Sequence, residues 1–135
     1  MKLALPQVND VAKVKAVRAT LPADDVTADA VGVFLALSNP LRLRLVHALA
    51  HDELSVGDLA HALELSMSAV SHQLALLRHL KLVAARDDGR KTYYRVIDTC
   101  VARLVHDCLG HVGGEDPGTP PHHPRRTKAG GRRSR

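Results

Sequence analysis

From Thr27 to His111 the apolar residues keep a helical period four times over, switch to alternation around Asp87-Asp88-Gly89, and then return to the helical period. That order leaves few architectures open. Thr27 is expected to cap a helix running to about Leu37, with Val31, Phe34 and Leu35 on its buried side and Ser38-Asn39-Pro40 ending it. Pro40 stands where a new helix tolerates proline, and Leu41, Leu45, Val46 and Leu49 then repeat at helical spacing. A third helix is expected from Ser55, with Val56, Leu59, Ala60 and Leu63 inward, and a fourth from Ser66 to about Lys81. Residues 82–86 and 91–97 read as two strands around a glycine-containing turn, and Asp98 or Thr99 caps a last helix to about His111. The aromatics are only Phe34, Tyr93 and Tyr94, so the core must be aliphatic, which suits packed helices. The expected fold is mainly α with a β-hairpin wing, a winged helix-turn-helix.

The flanks read differently. Pro6 and Pro22 bracket a short helical stretch, and residues 1–24 form an N-terminal arm, partly helical or flexible, before a domain over 25–112. Four prolines and five glycines from Gly113 onward make 113–135 a basic Pro/Gly/His tail too poor in apolar residues to fold alone, hence disordered. The net charge of +5 is concentrated in that tail, so the overall basicity is weak evidence for a nucleic-acid partner. Two cysteines are too few for a disulfide framework, and neither a signal peptide nor a membrane-length apolar run is present. A cytoplasmic protein with no membrane partner is therefore expected. No glycine-rich phosphate loop, HExxH or nucleophile elbow occurs, so an enzyme is not expected.

The fourth helix carries the functional signal. Measured from Ser68, Val70, Leu74 and Leu77 fall between about 180° and 240°, and Ser68, Ser71, His72, Ala75 and His79 fall on the opposite side. Short hydrogen-bonding side chains beside a small residue suit a helix lying in the major groove, read by its N-terminal residues. The free N–H groups near Ser66 suit a phosphate. Between Arg78 and Arg95 six basic residues face Asp87 and Asp88, and Arg86, Arg90 and Lys91 flank the turn where a wing would meet phosphates. The plainer reading is a solvated helix pair that docks another protein and never touches DNA.

The run LSNPLRLRLVHALAHDELSVGDLAHALELSMSAVSHQLALLRHLKLV, followed by GRKTYYRV, resembles the ArsR/SmtB family of small dimeric, metal-responsive repressors. The likeness spans Asp25 to His111. It implies a homodimer whose recognition helices read inverted repeats in double-stranded operator DNA, with major-groove contacts from Ser68, Ser71 and His72. One departure is Glu64, at a turn position that often holds glycine. A positive φ there would cost on the order of 1 kcal/mol.

The resemblance also implies metal sensing on the last helix, with ligands donated across the dimer. Asp98 and His111 match the family's ligand pattern; Cys100 replaces a histidine, and Gly114 stands where a last ligand belongs. Cys100 and His111 share a helix face within about 20° but lie about 16 Å apart along the axis, too far to hold one ion within a chain. Two such helices crossing antiparallel would bring Cys100 of one beside His111 of the other, twice per dimer. Asp107, Glu115, water, or the tail pair His122-His123 are candidates for the missing ligand, Asp107 alternatively orienting His111. A thiolate favours zinc or cadmium, whereas the PGTPPHH tail is similar to those of nickel- and cobalt-sensing members. The family's other, cysteine-based site is not expected, because Ser55 and Gly57 occupy its positions. Cys108 with His111 makes a modest chelating pair, and a redox or thiol sensor built on Cys100 is the alternative to metal.

Overall fold

The structure, a computed structural model, describes residues 3–114. The chain divides into two units, one up to Leu35 and one from Ala36 onward. In the first, Asp10 caps helix α1 (Val11–Thr20) by accepting a hydrogen bond from the Lys13 N–H at 3.0 Å. Helix α2 (Asp24–Leu37) begins three residues before the expected cap. Asp24 and Asp25 place negative charge at its N-terminus, where the helix dipole favours it. Thr27 is an interior residue whose hydroxyl donates to the Ala23 carbonyl at 3.0 Å. The expected buried face is also corrected. Val31, Phe34 and Leu35 are 49%, 60% and 62% exposed in the single protomer. Periodicity locates an apolar face; it does not say what covers it.

The second unit is built on helix α3 (Pro40–His51). Asn39 Oδ1 accepts from the Leu41 and Arg42 N–H groups, and Pro40 opens the first turn, where its missing N–H costs nothing. After the two-residue strand β1 (Leu54–Ser55) comes α4 (Val56–Leu63), capped by Ser55 Oγ. Helix α5 (Met67–His79) is capped by Ser66 Oγ, which accepts from the Ala69 N–H at 3.1 Å. Strands β2 (Val83–Asp88) and β3 (Lys91–Val96) form the hairpin, and α6 (Thr99–Gly113) closes the unit. The described chain thus has six helices and a small antiparallel sheet, the winged helix-turn-helix order.

The core is aliphatic, as the composition requires. Leu45, Val46, Leu59, Val70, Leu74, Leu77, Val83 and Val105 are fully buried, so α3, α4, α5, β2 and α6 each contribute to it. Helix α3 touches α4, α5, α6 and β3. In the sheet, β3 lies between β1 and β2, with Asp88 paired to Lys91. The loop is therefore only Gly89-Arg90, and Gly89 (φ 61) takes the left-handed first position that a tight hairpin needs. Strand β1, absent from the sequence reading, is too short to show a period; it pairs Leu54 with Tyr94 and Ser55 with Tyr93. No described helix is long and apolar enough to cross a membrane.

Both helices of the helix-turn-helix end in the same motif. Glu64 (φ 55) donates to the His61 carbonyl while Leu65 donates to Ala60; Lys81 (φ 60) donates to Arg78 while Leu82 donates to Leu77. Each is a Schellman cap with a charged residue where glycine is favoured. Glu64→Gly relieves about 1–2 kcal/mol of left-handed strain and returns part of it as chain entropy. A net gain of about 0.5–1 kcal/mol is expected, read as a higher urea midpoint at unchanged slope.

Candidate functional site

The buried stripe of α5, Val70, Leu74 and Leu77, fixes the rotation of this helix. Ser68, Ser71, His72, Ala75 and His79 are consequently all exposed. The face holds no acidic side chain. Ser66 Oγ is held by its capping bond and lies 3.4 Å from Ser68 Oγ, so both hydroxyls gather at the helix N-terminus. Gln73, between the two faces, is half-buried, and its side-chain oxygen has no hydrogen-bond partner among the described residues.

The wing supplies the positive charge, and its three cations differ. Arg90 sits in the turn and Lys91 opens β3; both are exposed, and neither forms an ion pair among the described residues. Arg86 is already engaged. Its Nε donates to Glu53 Oε1 at 2.9 Å, and its Nη2 also contacts that oxygen. Its Nη1 lies 3.7 Å from an Asp88 oxygen, and its guanidinium stands 5.1 Å from the Tyr93 ring centroid. Glu53 directly precedes β1, so this contact straps the wing to the start of the helix-turn-helix. The sequence reading missed Glu53 because 33 residues separate it from Arg86; only the β1–β3 pairing brings the two together. Within the hairpin, Thr92 Oγ1 donates to Asp87 Oδ1 at 2.8 Å across a paired position.

On α6, Asp98 caps the helix, its Oδ1 accepting from the Cys100 N–H at 2.7 Å. One carboxylate oxygen is thus committed to the backbone. Cys100, Asp107 and Cys108 are exposed and His111 is half-buried. The core-facing residues are Val101 and Val105, which leaves Cys100, Leu104, Asp107 and His111 together on another face. Within one protomer, no group of three or more His, Cys, Asp or Glu side chains that could hold a metal comes together among the described residues. Glu115, His122 and His123 lie outside the described residues.

The Arg86 guanidinium holds the Glu53 carboxyl below its usual value of 4.5, chiefly through the hydrogen bond, and Glu53 in turn raises Arg86. A carboxyl lowered in the folded state contributes stability in full above its unfolded value, and loses it as pH falls through the folded one. The difference in urea midpoint between wild type and Glu53→Gln should therefore be constant at neutral pH and shrink once the pH falls below about 4.5. A difference that persists unchanged into acid would remove the charge pair as its cause.

The comparisons with known proteins point to one family. The family described as "Bacterial regulatory protein, arsR family" matches residues 39–85. A transcriptional repressor SmtB homolog of Synechocystis is 48% identical over 83 residues, which cover 62% of this chain and 63% of that protein. The chain thus spans somewhat under two thirds of that relative. The solved structure of AntR, described as an antimony-specific transcriptional repressor, is 35% identical with a TM-score of 0.66, covering 72% of this chain and 88% of AntR. That of Mb0332 from Mycobacterium bovis, described as a homodimeric winged helix-turn-helix DNA-binding domain, is 28% identical with a TM-score of 0.63, covering 77% and 99%. The chain belongs to the arsR family of bacterial regulatory proteins and has its winged helix-turn-helix fold.

Proposed function

We propose that the protein is a homodimeric repressor that binds operator DNA in its metal-free form and releases it when a divalent transition metal binds at an inter-subunit site on α6. The observation that carries this reading is the exposed face of α6. It presents Cys100, Asp107 and His111 on one side of a single helix, at a spacing one protomer cannot close around an ion. A second copy running antiparallel completes two equivalent pockets. Leu104, exposed on the same face, supplies apolar surface for that pairing. The homodimer described for Mb0332 supports such a pairing.

In this arrangement residues 25–112 bind DNA and dimerise, with 1–24 as an arm and 113–135 as a tail. A thiolate, an imidazole and a carboxylate form a donor set that suits zinc or cadmium; nickel or cobalt would draw further ligands from Glu115, His122 or His123. Asp98 can join through the oxygen not used in capping. Ser68, Ser71 and His72 read base edges, Ser66 and the N-terminal N–H groups of α5 hold a phosphate, and Arg90 and Lys91 neutralise backbone charge. Arg86 reaches the same backbone from its strap to Glu53. The exposure of Cys100 also supports a second reading, a thiol sensor on the same helix.

On DNA, Ser71→Ala or His72→Ala should cost about 1–3 kcal/mol against the preferred operator and relax its sequence preference. Arg90→Ala or Lys91→Ala should weaken all sequences alike and lower the salt slope by about one each. Gel shifts on the protein's own upstream promoter at several salt concentrations separate the two classes; no binding at any salt would leave the protein-docking reading.

For sensing, promoter binding is measured against zinc, cadmium, cobalt and nickel. The effective metal should release the wild type, with a coupling of about 1–3 kcal/mol, and DNA should weaken metal binding by the same factor. Cys100→Ser and His111→Gln should keep metal-free DNA binding and lose the release. Unchanged affinity and release in Cys100→Ser would remove that thiol from the site, and release by oxidant alone would favour the thiol sensor.

A further inference from the structure

The outer face of α3 carries two imidazoles that neither the DNA-facing surface nor the last helix uses. His47 and His51 are spaced i,i+4 and stand one above the other, on the side opposite the buried Leu45, Val46 and Leu49. His47 is half-buried and His51 exposed. Their ring centroids are 4.7 Å apart and their planes cross at 83°. An ion bound at the usual metal–nitrogen distance lies ~3.2 Å from each ring centroid, which puts the centroids ~4.5 Å apart at a right-angled site and ~5.2 Å apart at a tetrahedral one. The observed separation, in what is now an edge-to-face contact, falls between the two, so the ring spacing matches that of a chelated pair.

We propose that His47 and His51 form a chelating site for a borderline divalent transition ion on the surface of α3, with water completing the coordination. This is independent of the α6 site and of the sensing role proposed for it. His51 is the last residue of α3, where the unpaired carbonyls give the helix its negative pole and favour a cation. Arg44, exposed one turn before His47, opposes it. No third donor gathers with the pair among the described residues, and Asp52 Oδ1 accepts from the Glu53 N–H at 2.8 Å. With two protein ligands the site discriminates by metal rather than by cage, and copper(II) binds ahead of nickel and zinc. Bound metal clips the final turn of a helix whose other face lies in the core.

The test is histidine-ring NMR on the full chain carrying Cys100→Ser, His111→Gln, His122→Gln and His123→Gln, with substoichiometric copper(II) as the probe. Paramagnetic broadening should strike His47 and His51 together, ahead of His61, His72, His79 and His106, which serve as internal controls. Adding His47→Gln should spare the His51 signal and lower copper affinity at least as much as the roughly tenfold that loss of an outer-shell partner costs. The same signals can be followed in the otherwise wild-type chain, so the result does not depend on that background folding. Broadening of His47 and His51 no earlier than the controls, or affinity within about twofold after His47→Gln, would overturn the proposal.

Discussion

The rest of the molecule depends on the burial of one stripe of α5. Val70, Leu74 and Leu77 have no solvent exposure at all, and they meet a core to which α3, α4, β2 and α6 each contribute aliphatic side chains. A helix anchored by three such side chains has one rotation about its axis. That rotation, rather than any property of the serines or His72, puts Ser68, Ser71 and His72 outside. An interior built from Leu and Val packs at close to crystalline density and transmits small displacements instead of absorbing them. Because α3 touches both α5 and α6, movement of the last helix has a packed route to the recognition helix that involves no loop.

Much of this was legible in the sequence, for identifiable reasons. Ser55, Ser66 and Asp98, expected where helices start, are caps in the structure, because a side-chain oxygen next to an apolar-periodic run has few other roles; Asn39, read only as ending the preceding helix, is a cap as well. The exposed set on α5 followed from its buried set by helical geometry alone. What periodicity could not supply was the identity of the covering surface, and so Val31, Phe34 and Leu35 were expected inside and are exposed. Pairing across long sequence separation was equally hidden. Nothing local marks Glu53 as the partner of Arg86, or Leu54 and Ser55 as a strand beside β3.

Glu64 shows a different limit. Side-chain preference puts glycine at its position, yet the chain holds a left-handed glutamate there, kept in place by two backbone hydrogen bonds. Lys81 repeats the arrangement at the end of α5. Two charged residues in unfavoured conformations, each closing one helix of the helix-turn-helix, mean that the turn geometry is imposed by the packed helices around it.

The Asp98 cap lies where the wing meets the last helix. Its Oδ1 closes the first turn of α6, and the residue stands directly between the end of β3 and that turn. An ion that drew this carboxylate toward itself would have to use its second oxygen while leaving the first undisturbed, or else uncap the helix and fray its start. Loss of the bond to the Cys100 N–H would leave a donor of the first turn of α6 unpaired, while β3 stays held between β1 and β2 by its own pairing.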